Sequence, residues 1–224
     1  MKIIYLPVIA GSALLLTASI NLAHAQSAIP HEKVGPFADD TLEGWEERSF
    51  VGNTDYQLVD DNGTQVLQGH TQKQASILYR EQTIDVTKTP VVSWSWKIDR
   101  TFGDINELTK AGDDFPARLY VVVRTGFLPW ESLAINYVWS SNQPIDQVWT
   151  NPFTDKAKMI AVQTGDEQVG QWVRQSRNVA QDFKDLYDLD VTEIDGFAVM
   201  VDGDNSGSEA VSLFGQISFQ PVAP

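Results

Sequence analysis

The chain has 224 residues, 16 Lys and Arg against 30 Asp and Glu, a formal charge of −14 at pH 7, three histidines and no cysteine. A chain this acidic repels nucleic acid and anionic lipid surfaces, which excludes both as partners. The missing thiols exclude disulfides, thiol nucleophiles and Cys-ligated zinc, and three scattered histidines exclude a His-rich metal site.

Residues 1–25 carry the order of features that marks a cleaved export signal: Lys2, an apolar run over Ile3–Ile20, then Ala23-His24-Ala25 with small residues at the first and third positions. Cleavage is expected between Ala25 and Gln26. The run Val8–Ile20 is short of the roughly 20 apolar residues that a spanning helix needs. No later segment is long and apolar enough, so no transmembrane segment is expected after cleavage. The expected destination is the periplasm, with the medium as the alternative.

Residues 26–35 read as a flexible lead-in and residues 36–224 as a single domain. The expected strands are Gly44–Phe50, Tyr56–Asp60, Gln65–His70, Ala75–Ile84, Val91–Ile98, Ala117–Thr125, Leu133–Ser140, Lys158–Gln163, Gln171–Asn178, Phe197–Val201 and Val211–Gln220. They are rich in Val, Ile and aromatic residues and bounded by Gly, Pro, Asn and Asp. Asp60-Asp61-Asn62-Gly63 reads as a hairpin turn, because Asn-Gly tolerates the positive φ that a tight turn requires. Many short strands at this spacing predict a mainly β fold, an antiparallel β-sandwich of jelly-roll type with one or two short helices. The helices are expected at Ile105–Lys110, as a short turn, and at Val179–Tyr187, where Val179, Phe183, Leu186 and Tyr187 share one helical face.

Alternation sorts the strand faces. Val92, Trp94, Trp96 and Ile98 lie opposite Ser93, Ser95 and Lys97, and Leu119, Val121 and Val123 lie opposite Arg118, Tyr120 and Arg124. A face that mixes Arg, aromatic and amide groups suits a sugar. Rings stack on the apolar faces of pyranoses, and Arg and Asn bond hydroxyls.

Three constellations could carry chemistry. The first is Gly112-Asp113-Asp114-Phe115-Pro116-Ala117-Arg118, followed by Tyr120. Adjacent residues of an extended chain point opposite ways, so Asp113 and Asp114 are not expected to share a proton. One pairs with Arg118 and the other is left for a cation or a hydroxyl. The second is Asn136-Tyr137-Val138-Trp139, with Tyr137 and Trp139 on one face, joined as a candidate ligand surface by Arg174, Arg177 and Asn178 near Asp182. The third is Asp202-Gly203-Asp204-Asn205-Ser206-Gly207. It has the oxygen ligands at positions one, three and five and the Gly at six of a calcium loop, so Asp202, Asp204 and Ser206 are candidate ligands for a structural Ca²⁺. Position twelve is Leu213 instead of the bidentate Glu of a helical calcium loop. No phosphate-binding Gly loop, G-x-S-x-G elbow or H-E-x-x-H motif occurs.

The ordered set Trp94-x-Trp96, Gly112-Asp113-Asp114-Phe115-x-x-Arg118-x-Tyr120, Asn136-Tyr137-x-Trp139, Arg177-Asn178 with Asp182, and Met200-x-Asp202-x-Asp204-Asn205-Ser206 resembles the exported bacterial family DUF3047, from about Phe37 to Phe219. That resemblance implies export and a shared fold, and no reaction. The opening Phe37-Ala38-Asp39-Asp40, Gly44-Trp45, a hairpin and then Ser76-x-Leu78 is similar to carbohydrate-binding jelly rolls of the galactose-binding-like type, some of which hold structural calcium. The expected function is a non-catalytic module that binds a saccharide or a cell-envelope glycan. The alternatives are an envelope structural or assembly protein without a small ligand, and a glycan hydrolase or lyase using Asp113, Asp114 and Arg118.

Overall fold

The computed structural model describes residues 32–35, 37, 41–128 and 131–223. The export signal and its Ala25/Gln26 cleavage site lie outside the described residues, as do His31 and Trp130. Among the described residues no helix is long and apolar enough to cross a membrane.

The strands in chain order are β1 (Glu32–Gly35), β2 (Glu46–Val51), β3 (Asp55–Asp61), β4 (Thr64–Gln72), β5 (Ala75–Asp85), β6 (Val91–Ile98), β7 (Ala117–Arg124), β8 (Ser132–Ser140), β9 (Val148–Thr150), β10 (Ala157–Thr164), β11 (Val173–Asn178), β12 (Glu193–Met200), β13 (Glu209–Phe214) and β14 (Ile217–Gln220), with helix α1 (Val179–Tyr187) after β11. They form two sheets. The first runs β1-β14-β6-β13-β4-β3, with β11 on the other edge of β6; the second runs β2-β5-β12-β7-β8-β10-β9. All pairs are antiparallel except β8 with β10, which run parallel. The architecture is the expected β-sandwich.

Between the sheets lies an aromatic core. Trp94, Trp96 and Ile98 of β6 face Tyr137 and Trp139 of β8, with ring centroids 5.4 Å apart for Trp94–Tyr137 and 6.2 Å for Trp96–Trp139. Phe197 of β12 meets Phe219 of β14 at 6.4 Å. The alternation in β6 is realised: Val92, Trp94, Trp96 and Ile98 are buried while Ser93, Ser95 and Lys97 are only partly so. The β3–β4 hairpin has the predicted turn, with Asn62 at φ 57° and Gly63 at φ 83° between the paired Asp61 and Thr64.

Some boundaries differ from expectation. The segment Val211–Gln220 is two strands, β13 and β14, in succession along one edge of β6. The break at Gly215 keeps its N–H on Ser95 O at 2.8 Å. Strand β9, three residues long, is too short for alternation to reveal and exists through its pairing with β10. Glu32–Gly35, at the end of the segment read as a lead-in, pairs with β14. The turn expected at Ile105–Lys110 lies later, as a 3₁₀ turn over Lys110–Gly112. Buried Glu107 is bound by Ser140 Oγ and, at 2.6 Å, by Ser141 N, which pins that loop to the end of β8 instead.

Helix α1 occupies the predicted residues. Asn178 caps it, accepting from Gln181 N at 3.1 Å, and Asp188 closes it in the left-handed region at φ 51°. Asn178→Ala is expected to cost about 1 kcal/mol, read as a lower midpoint in chemical denaturation with an unchanged slope.

Candidate functional site

The outer face of the second sheet is where the chemistry collects. In β7, Ala117, Leu119, Val121 and Val123 point into the core, so Arg118 and Tyr120 point out. In β8, Ile135, Tyr137 and Trp139 point in, so Asn136 and Val138 point out. Tyr120 is the register partner of Asn136, and Arg118 is that of both Val138 and Met200. Three outward side chains, Arg118, Tyr120 and Asn136, thus share one patch of the sheet.

Two turns at the same end complete it. One holds Asp113 and Asp114, ahead of β7; the other is Asp202–Ser208, after β12. The second is tight: Ser208 N donates to Gly203 O at 2.8 Å, and a Cβ on Gly203 would come within 2.4 Å of Ser208 O. Only glycine fits there. Asp114 ties the two turns together, accepting from Asn205 N at 3.2 Å, Asn205 Nδ2 at 3.1 Å and Ser206 N at 2.5 Å.

Arg118 is the hub. Its Nε donates to Asp202 Oδ1 at 2.7 Å and its Nη2 to Asp202 Oδ2, a bidentate pair, while Nη2 also donates to Asp113 O at 2.6 Å. Nη1 lies 3.4 Å from Tyr120 Oη and 3.7 Å from Asp113 Oδ2. The guanidinium carbon sits 4.5 Å from the Phe115 ring centroid. Asp113 Oδ2 also accepts from Asn151 Nδ2 at 2.9 Å.

Burial pushes the Asp202 carboxyl up to about 8; Arg118 pulls against this, and Asp114 and Asp113 add to it. Burial also raises Asp113, against the pull of Arg118, and raises Asp204, to which Asp114 adds. Burial works against the charge on Arg118, but Asp202 holds it protonated. A carboxyl whose folded pKa exceeds its unfolded value near 4 binds more protons folded than unfolded. Its contribution is full below about pH 4 and is lost as pH rises through the folded value. The melting temperature is therefore expected to fall from pH 5 to pH 8.5, and Asp113→Asn, which removes one such carboxyl, is expected to flatten that slope in thermal scans.

Over this polar end opens a cavity of about 400 Å³ with largely apolar walls. Phe50 and Val51 from the end of β2 form one side, Tyr120 and Met200 the floor, and Phe153 and Thr154 of the β9–β10 loop the other side. Asp204, Asn205 and Asn151 stand at its polar rim. Deep in the lining sit two anomalies. Asn136 is 1% exposed with neither Oδ1 nor Nδ2 hydrogen-bonded, and Asp113 is 4% exposed with Oδ1 unpaired. Buried polar groups are nearly always satisfied by protein or by water, so these atoms on the cavity lining have capacity left for a partner inside it.

Asp113, Arg118, Tyr120, Asn136, Asp202 and Asp204 converge here. Asp114 lies beside Asp202 and Asp204 without lining the cavity, and the remaining ligand-binding candidates lie elsewhere. Tyr137 and Trp139 are fully buried in the core, because alternation gives the outward positions to Asn136 and Val138. Arg177 grips Asp182 of α1 at 2.6 and 3.0 Å, with Tyr137 Oη on the same carboxylate at 2.8 Å. That group fastens the helix to the sandwich. Asn178 is the helix cap, and Arg174 stands exposed on β11 in the other sheet. Asp114 is used up in holding the turns.

The calcium loop takes a different form from the sequence pattern. The carboxylates whose oxygens come within 4.8 Å of one another are Asp114, Asp202 and Asp204. The Ser206 hydroxyl instead pairs with Ser208 Oγ at 2.6 Å. Asp202 is occupied by Arg118 and Asp114 by the turn amides, so among these three only Asp204 has free acceptor capacity. This donor set fits a calcium ion poorly, since a hard cation needs six to eight oxygens and Arg118 stands where one of its charges would be.

Sequence reasoning missed Phe50, Val51, Asn151, Phe153 and Met200. They come from separate strand ends and a loop, and no local pattern connects them.

Residues 43–218 match the family model described as "Protein of unknown function (DUF3047)". No curated protein matches the chain significantly. Among solved structures, the enzymatically active domain of bacteriophage CBA120 tailspike protein 4 is similar at TM-score 0.42 and 8% identity, over 84% of this chain and 21% of that one. The CBM22-1 xylan-binding domain of Paenibacillus barcinonensis Xyn10C is similar at TM-score 0.36 and 15% identity, over 87% of this chain and 94% of that one. This chain thus spans about a fifth of the tailspike chain.

Proposed function

This chain belongs to the DUF3047 family, described only as proteins of unknown function, and from that premise we propose that it is an exported, periplasmic, non-catalytic module that binds a saccharide or cell-envelope glycan. The observation that carries the proposal is the cavity itself: aromatic and apolar walls, a polar rim, and a wholly unpaired Asn136 amide in its lining. A few convergent polar groups in an otherwise apolar pocket are the general form of a small-ligand site. A pyranose matches it, with carbon faces for Phe50, Tyr120 and Phe153 and hydroxyls for Asp204, Asn205 and Asn151. Glycoside hydrolysis needs carboxylates on both sides of the scissile bond. Here Asp113, Asp202 and Asp204 all enter from the one end formed by the two turns, which favours binding over hydrolysis.

The test is a thermal-shift screen of neutral and envelope oligosaccharides, with calcium and EDTA arms. Saturation at 100 times Kd stabilises the folded state by about 2.7 kcal/mol, several degrees for a chain of this size. Asn136→Leu is expected to keep or raise the melting temperature, because an unpaired buried polar group costs about 1–3 kcal/mol, and to lose the saccharide shift. A variant that melts lower and still responds to sugar would overturn the assignment of Asn136.

A further inference from the structure

The balance of charge in this cavity narrows the ligand. Asp113, Asp202 and Asp204 line it with a single guanidinium, and Arg118 has given its bidentate face to Asp202. Asp113 Oδ1 has no partner. The Asp204 carboxylate is held only locally, by the neighbouring Asn205 Nδ2 at 3.2 Å and by its own backbone N–H. Burial raises both carboxyls, so a cation placed beside them would favour their ionised forms.

Two independent observations point into the same space: the unpaired Asp113 oxygen and the unpaired Asn136 amide, both more than nine-tenths buried. The missing positive charge could be a metal or an organic ammonium, and the walls decide between them. A metal here would have Asp113 Oδ1, Asn136 Oδ1 and Asp204 and would need waters for the rest of its shell, and it would gain nothing from the apolar walls. An ammonium on a carbon skeleton gains from the Tyr120 ring, whose face attracts cations, and from the apolar Met200 side chain; the Phe50 and Phe153 rings already carry Arg48 and Lys110, at 5.6 and 5.2 Å from their centroids.

Resting on the saccharide reading, we infer that the ligand carries a protonated amino group, as an amino sugar does, with Asp204 receiving it at the rim and Asp113 beneath, and that acidic saccharides are rejected.

The test is calorimetric titration of the purified protein with three tetramers of the same linkage: β-1,4-glucosamine, its N-acetylated form, and β-1,4-glucose. Glucosamine tetramer is expected to bind at least tenfold more tightly than the other two, and to weaken as salt rises from 50 to 500 mM. Asp204→Asn, a rim substitution that leaves the Arg118 pair intact, is expected to bring the three ligands to within about threefold of one another at a melting temperature no lower than that of the unaltered protein. Equal binding of all three, or preference for an uncharged one, would overturn the amino-group inference while leaving a saccharide site standing. Binding of none would sink both readings. Stabilisation by calcium alone would show that a metal supplies the missing charge and would overturn the inference as well.

Discussion

At pH 9, where Asp202 is ionised, Arg118→Ala is expected to lower stability by about 3–5 kcal/mol, the cost of leaving a buried carboxylate without its partner. At roughly 2–4 °C per kcal/mol for a chain of this size, the melting temperature falls by about 6–20 °C. Asp202 is 1% exposed, so water cannot replace the guanidinium, and the Asp113 carbonyl loses its donor with it. Arg118→Lys is expected to recover little, because one ammonium cannot make the forked pair with Asp202 and reach Asp113 O together. The double variant Arg118→Met, Asp202→Leu is expected to be more stable than Arg118→Ala, since removing both charges also removes the desolvation cost. Calorimetry of the set decides the matter: a loss below 1 kcal/mol in Arg118→Ala would mean that the pair does not anchor the two turns.

Trp139→Ala is expected to cost about 3–5 kcal/mol, the usual penalty for emptying a buried aromatic position. The indole is fully buried, packs against Trp96 and donates from Nε1 to Gly165 O at 3.1 Å. The change leaves a cavity in the middle of the core and an unpaired carbonyl at the end of β10. Guanidinium unfolding should show the loss in the midpoint. The same variant separates packing from ligand binding. A platform residue would lose ligand response and keep its stability; the structure predicts the reverse at any temperature where the variant remains folded.

The alternation of β6 and β7 could be read in the sequence because side-chain direction in a strand has period two. Once Trp94 and Trp96 face the core, Ser93 and Ser95 cannot. Asn62-Gly63 and the apolar face of Val179–Tyr187 were legible for the same reason, since local backbone geometry dictates them. The rule left one choice open in β8. Alternation separates Asn136 from Tyr137 and Trp139 but does not say which set faces in. Packing against β6 decided it, turning the aromatic pair into core and the amide into the cavity lining.

What the sequence by itself determined, then, is the β-rich class, the strand periodicity, the helix and the stretch Asp113–Tyr120 as chemically unusual. Those features depend on neighbours a few residues apart. What only the tertiary structure decided is that Asp202 clasps Arg118, that Asp114 binds the turn at Asn205 and Ser206, and that Phe50 and Phe153 wall the cavity. Each of those contacts joins segments far apart in the chain. A calcium-like spacing at Asp202–Gly207 carries no information about an arginine from another strand, and that arginine is what sets the charge of the site.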